Sequence, residues 1–189
     1  MKQVSFTRML DGTKEDYELI YSLAEESTKG LAERILAALE PLKTSFDGYK
    51  VTRYEHSLQA ATRAYRHGES EEIVVAALLH DIGDELAPYN HSELAAVILQ
   101  PYVSEKTYWI VKHHSTFQKY YYAHYMGSDR YEREKYRDHP YYQATVDFCE
   151  NYDQNSFDPQ YDTLPLAFFA PMVKRIFAHP YPKYQFIKT

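Results

Sequence analysis

Residues 73–84 read IVVAALLHDIGD. Seven apolar residues with no polar face predict a helix that is buried all round, yet that helix runs straight into His80 and Asp81. A carboxylate and an imidazole in such a place lose their hydration, which is strongly unfavourable unless charge or hydrogen bonding compensates it. The identity of that compensation decides how the rest of the chain is read.

The chain has 189 residues, 44% hydrophobic and 25% charged, which predicts one well-filled core rather than two. Its net charge of -6 comes with no block of lysines and arginines, so a surface for nucleic acid is not expected. A basic segment followed by an apolar stretch is missing at the N-terminal end, and no long apolar run appears elsewhere. The expectation is therefore a soluble, cytoplasmic protein without a secretory signal or membrane span. Cys149 is the sole cysteine, which rules out an internal disulfide and a multi-thiolate zinc site. Any metal must be held by histidine and carboxylate.

Helical periodicity recurs along the whole chain and predicts an all-α class. Thr13 with Asp16 opens a first helix, expected to continue past a weak spot at Gly30 through Leu31, Ile35, Ala38, Leu39 and Leu42. Val51, Tyr54, Leu58, Ala61 and Tyr65 share one face of a second helix, closed by His67-Gly68. The apolar stretch is the third. Asn90, with Glu93 as its reciprocal acid, is expected to cap a fourth that stops near Pro101. Val103, Thr107, Ile110, His114 and Phe117 mark a fifth. A sixth is expected to begin at Pro140, with Tyr142, Val146, Cys149 and Asp153 on one face. The last, from Leu166 to Ala178, should be kinked or broken at Pro171. The reading is a single domain over 1–189, with a core at about 46–153 and the flanking segments 1–45 and 154–189 packed on it.

Five of these helices bring a histidine or aspartate to a buried or border position: His56, His80 and Asp81, His91, His114, and Asp153. One such residue is usually a satisfied core group. Six on successive helices suit a metal site built from the inward side chains of a bundle. His80 and Asp81 point roughly 100° apart on a helix, so they can serve different coordination directions, and a carboxylate can bridge two cations.

The ordered set His56, His80-Asp81, His91, His114, Asp153 resembles the HD-domain superfamily. The stretches RYEHSLQAATRA, VVAALLHDIGD and NHSELAAVIL are similar to its small oxygenase branch, the mixed-valent diiron enzymes related to the phosphonate-cleaving HD oxygenase and, more distantly, to myo-inositol oxygenase. The resemblance spans roughly residues 46 to 153. It implies a helical bundle around two metal ions, iron in that branch, with manganese or zinc compatible with the same ligand types. One ion would be held by His56, His80, Asp81 and Asp153, and the other by His91 and His114, with Asp81 bridging. His113 is the rival of His114, but it shares a face with Lys106 and Trp109.

The chain also departs from that branch. Where the phosphonate-cleaving enzyme carries a lysine and an arginine for its substrate, this chain has Gln118 and Glu150, and Tyr49 stands where a glutamate guards the metal there. Asp84 replaces the lysine that follows the HD pair in myo-inositol oxygenase. Arg53, three residues before His56, is the one cation beside the metal motifs. Asp81, Asp84 and Arg53 are expected to be catalytic, and Tyr49, Gln118, Tyr121, Tyr122 and Glu150 to meet the substrate.

The stretch FQKYYYAHYMGSDRYEREKYRDHPYY, residues 117–142, is dense in tyrosine. Its rings either pack over the bundle, or some of Tyr120, Tyr121, Tyr122 and Tyr125, with Asp84 or Glu150, form a cage for a quaternary ammonium. His67, His124, His139 and His179 read as surface or packing groups. The resemblance favours a diiron oxygenase that uses O2 on a small polar substrate, an organophosphonate or a quaternary-ammonium compound. A metal-dependent phosphohydrolase acting on a nucleotide or phosphomonoester is the second reading, and a catalytically silent binding domain the third.

Overall fold

The computed structural model describes residues 3–45 and 47–184. Among them every regular element is helical: α1 (Lys14–Thr28), α2 (Leu31–Ala37), α3 (Arg53–Arg66), α4 (Glu71–Leu79), α5 (His91–Leu99), α6 (Glu105–Tyr122), α7 (Tyr142–Phe148) and α8 (Leu166–Phe177), with short 3-10 turns between them and a π turn over Cys149–Asp153. None of the described helices is long and apolar enough to cross a membrane.

Local chemistry sets most of the boundaries. Thr13 and Asp16 form a reciprocal capping box at α1, and Thr52 and Glu55 form another at α3. Gly68, at φ 84°, ends α3 in a left-handed conformation that costs glycine little. Ser70 and Ser104 cap α4 and α6 by accepting from Ile73 N–H and Thr107 N–H.

Several boundaries differ from expectation. The first expected helix is divided: α1 ends at Thr28, α2 starts after Gly30, and the chain then tightens into a 3-10 turn over Glu40–Lys43 around Pro41. Glycine lowers helix propensity and proline lacks the N–H that an α-helix needs, so the pattern of apolar residues continues while the hydrogen-bond ladder does not. Asn90 makes no side-chain cap; α5 is entered instead through backbone bonds from Glu93 N–H and Leu94 N–H to the Asn90 carbonyl. α7 begins at Tyr142 rather than Pro140. The π turn that follows moves the expected stripe, so that Val146 is half-buried while Cys149, Tyr152 and Asp153 are buried. α8 runs unbroken through Pro171.

The buried helix is explained by its surroundings. α4 packs against α3, α6 and α8, and Ile73 through Leu79 are all buried. Ala60, Ala61 and Ala64 keep the α3 side of this contact thin. Further pairings, α5 on α6, α6 on α7 and the π turn on α3, draw the C-terminal end of α4, the start of α5, the middle of α6 and the end of α7 towards one place.

Candidate metal centre

That place is where His80 and Asp81 leave α4. His56 comes from the first turn of α3, His91 from the first residue of α5, His114 from the middle of α6, and Asp153 from the π turn. The structure thus brings together all six residues singled out in the sequence. Three groupings, His56/His80/Asp81, His80/His114/Asp153 and Asp81/His91/His114, each have their ligand atoms within 4.8 Å of one another. His113 points elsewhere, against Trp109 at 3.9 Å and Tyr136 at 4.7 Å between ring centroids.

The two oxygens of Asp81 face different neighbours. Oδ2 lies 3.3 Å from His56 Nε2 and 3.1 Å from His80 Nε2, while Oδ1 lies 3.4 Å from His91 Nε2 and 3.3 Å from His114 Nε2. Asp153 Oδ1 joins the first group, 3.3 Å from His56 Nε2 and 3.6 Å from His80 Nε2. The carboxylate of Asp81 therefore stands between two pairs of imidazoles, as a bridging ligand would.

The ring nitrogens test whether a cation suits this set. Backbone carbonyls accept only, so a nitrogen that bonds one must carry the hydrogen. His56 Nδ1 donates to the Ser156 carbonyl at 3.0 Å, His80 Nδ1 to the Ala77 carbonyl at 2.8 Å, and His114 Nδ1 to the Val111 carbonyl at 2.7 Å. In the neutral rings each Nε2 then presents a lone pair to the cluster. Those of His56 and His80 meet at 3.1 Å with carboxylate oxygens around them. Facing lone pairs repel unless a proton or a metal ion lies between. Asp153 Oδ2 is buried without any hydrogen-bond partner, a further unmet demand for positive charge. The set fits a bound cation on both counts.

Electrostatics agree. Burial alone would raise the Asp81 pKa, but His80, Arg53 and the facing rings of His114 and His56 outweigh it and hold the carboxyl well below its ordinary range. Burial would lower His80, and the carboxylates of Asp81 and Asp153 outweigh it and hold its pKa well above the usual value. The cluster thus stores demand for cations that protons meet when metal does not.

Arg53 and Asp84 stand beside it. Arg53 Nε donates to Asp84 Oδ2 at 2.6 Å, and its terminal nitrogen donates to Asp81 Oδ2. Asp84 Oδ1 lies 3.2 Å from His91 Nδ1. Both residues flank the ligands, with their charges engaged by each other and by the cluster.

The expected substrate residues are more scattered. Gln118 is one turn beyond His114 on α6, and its Oε1 is buried without a partner. The Tyr121 phenol lies on the same face and is pushed up to about 12 by burial, then by Cys149 and Glu150. Tyr122 is 50% exposed, Tyr125 is 81% exposed, and Glu150 is exposed. The Tyr120 ring is already covered by the Arg133 and Arg130 guanidinium groups at 3.7 and 4.3 Å. Some of these four tyrosines were expected to form a cage; consecutive helical residues splay by about 100°, and Tyr120 and Tyr121 meet edge-on at 5.5 Å while Tyr122 and Tyr125 turn to solvent. Tyr49 packs on Phe157 at 4.7 Å, and Phe157 stacks on His56 at 4.5 Å, so Tyr49 is an outer layer. A surface cavity of about 670 Å³ near the first turn of α3 is lined by Lys43, Tyr54, Glu55 and Gln59 among others, and by none of the six cluster residues.

Several contributors were not foreseen. Ser156 supplies the carbonyl that orients His56, Phe157 covers its ring, and Ser115 Oγ lies 3.0 Å from His91 Nε2. Gly83 is the fourth: a Cβ there would come within 2.7 Å of the His91 carbonyl oxygen, so only glycine lets the HD turn press against the start of α5. Its place inside HDIGD was the available signal. Ser156 and Phe157 act through a backbone group and a loop contact, and Ser115 through a side-chain contact between α6 and α5, none of which sequence spacing reports.

Fold and cluster define a helical bundle with buried, paired histidine-carboxylate groups. The HD domain model matches residues 53–153, more than half of the chain, and the chain belongs to the HD-domain family. It is also similar to a 1-hydroxy-2-(trimethylamino)ethylphosphonate dioxygenase (glycine-betaine-forming) from Leisingera caerulea, with 36% identity over 84 residues, which cover 39% of this chain and 43% of that protein. The match spans less than half of the relative's length.

Proposed function

We propose that this chain is an HD-domain oxygenase that uses two metal ions, iron in preference to manganese or zinc, to oxidise or cleave a small polar substrate with O2. The observation that carries the reading is the division of the Asp81 carboxylate between His56/His80 and His91/His114. The similarity to a phosphonate dioxygenase supports oxidation over hydrolysis. In this reading His56, His80, Asp81 and Asp153 would hold one ion, and His91 and His114 would hold the other with Asp81 shared between them.

A bound iron pair would supply the electron transfer to oxygen that protein side chains lack. The protein's own residues do the rest. The carbonyls of Ser156, Ala77 and Val111 keep three Nε2 lone pairs aimed inward. Arg53 balances part of the carboxylate charge that the buried ligands bring. Gln118 offers an unpartnered acceptor one turn from His114 and is the first candidate to meet substrate, with Tyr121 behind it. The substrate class is an organophosphonate or a quaternary-ammonium compound. Because Tyr122, Tyr125 and Glu150 face outward, they serve at most as an outer rim.

The test is metal analysis of protein purified without chelators, followed by EPR under partial anaerobic reduction. A coupled iron(II)/iron(III) signal that changes when 1-hydroxy-2-(trimethylamino)ethylphosphonate or a related compound is added, with oxygen consumed in turnover, is the expected result. Metal-dependent phosphate release from nucleotides or phosphomonoesters that is unchanged without oxygen would replace this reading with the hydrolase.

A further inference from the structure

The four histidines of the cluster are not held alike. His80 and His114 each sit at a position where the helical turn before them offers a carbonyl three residues back, from Ala77 and Val111, and His56 uses the Ser156 carbonyl. These acceptors belong to the backbone. His91 is the first residue of α5, so no turn of its own helix precedes it to supply one. Its Nδ1 faces a side chain instead, Asp84 Oδ1 at 3.2 Å. Its side chain is also 22% exposed, against 3% or less for the other three.

The choice of tautomer matters more at His91 than elsewhere. Ser115 Oγ, 3.0 Å from Nε2, can donate or accept, and Asp81 Oδ1 at 3.4 Å accepts. Left to those two partners, the ring would place its hydrogen on Nε2 and present no lone pair to the cluster. A carboxylate at Nδ1 reverses this by drawing the hydrogen to the far side of the ring. Asp84 is itself fixed: Arg53 Nε holds its second oxygen at 2.6 Å, and the same guanidinium reaches Asp81. Arg53, Asp84 and His91 form a chain of side-chain contacts outside the cluster that ends on one ligand.

We propose that Asp84, held by Arg53, is the positioning residue that makes His91 a metal ligand, so that the affinity of the ion position shared by His91 and His114 is set separately from that of the position shared by His56, His80 and Asp153. This rests on the two-metal reading above. It assigns Asp84 to the orientation of a ligand rather than to the reacting atoms. One ion position is built from backbone acceptors and comes with the fold, whereas the other depends on a side-chain contact at the edge of the site.

Anaerobic iron(II) titration with equilibrium dialysis separates the possibilities, with the parent protein measured first. Two equivalents in the parent are the expected starting point; a single equivalent there overturns the two-metal reading and this proposal with it. In Asp84→Ala, one equivalent should weaken about 10- to 100-fold, the usual effect of removing an outer partner of a ligating histidine, while the other keeps its parental affinity. Asp84→Asn, which retains an acceptor but not the charge, should fall between. In the metal-free protein, long-range 1H–15N spectra should show His91 with its hydrogen on Nδ1 in the parent and on Nε2 in Asp84→Ala. A merely structural role for Asp84 would not move that signal. Loss of both equivalents together, retention of both at parental affinity, or an unchanged His91 tautomer would overturn the proposal. If Asp84→Ala does not fold, the Asn variant and the parental tautomer decide.

Discussion

The His-Asp cluster and the tyrosine-rich stretch after His114 are neighbours in the chain, and sequence suggested a site in each. At His56, His80, Asp81, His114 and Asp153 the structure gathers five buried polar side chains within contact of one another. Along the tyrosines it does the reverse: Tyr122 and Tyr125 turn to solvent, and Tyr120 lies under two arginines. The difference lies in what burial requires. A charged or imidazole group inside a helix bundle needs a partner, so several such groups at core positions imply one another. A tyrosine is content half in water, with its ring on carbon and its hydroxyl free, so density of tyrosine implies no shared destination.

The largest effect expected from breaking this contrast is at Asp81. Asp81→Ala removes the oxygen pair that faces four histidines and leaves Arg53 with one carboxylate partner fewer. Metal analysis should find both ions gone, and chemical denaturation of the metal-free protein should show a loss of about 3–5 kcal/mol, the usual cost of removing one partner from a buried charge pair. Retention of both ions would remove the bridging assignment.

A smaller effect is expected in the tyrosines. Tyr120→Leu takes away the ring beneath Arg133 and Arg130 and should cost about 0.5–2 kcal/mol in unfolding experiments, with metal content unchanged. Tyr125→Leu, at an exposed position, should stay within about 0.5 kcal/mol. Weaker binding of a trimethylammonium compound in both variants, measured by calorimetry, would restore the cage and undo the contrast.

The smallest effect is a titration. The Tyr121 phenol is raised from 10.0 to about 12, first by burial and then by Cys149 and Glu150. Its folded-state pKa lies above its unfolded value, so its contribution to stability is complete below pH 10 and is lost as pH rises towards 12. Ultraviolet difference spectra should contain a late phenolate step, shared with Tyr152, that Tyr121→Phe reduces by one group. A spectrum without that step in the parent would place Tyr121 with the solvent-facing rings.

Much of the fold was legible because it rests on local rules. The all-α class, the capping box at Thr13, the stop at Gly68 and the buried α4 all follow from propensity and patterning within a few residues. The errors fell where tertiary contacts or backbone detail override pattern: the division at Gly30 and Pro41, the uncapped Asn90, the π turn before Asp153 and the unbroken α8. The distinction between His113 and His114 was also legible, since His114 shares its stripe with Val103, Thr107 and Ile110 while His113 shares a face with Lys106 and Trp109.

By itself the sequence determined a helical protein with six side chains of metal-ligating type at buried or border positions, because helical periodicity and the cost of burying charge are both readable from residue types in order. Only the tertiary structure decided how those ligands are held. That Asp81 turns one oxygen to each histidine pair, that the Ser156 carbonyl orients His56 while Asp84 meets His91, and that Arg53 ties Asp84 to Asp81 all depend on contacts between separate elements of the chain. Spacing along a helix gives the direction in which a side chain leaves the backbone; which atom it meets at the other end is fixed by the packing of the helices against one another.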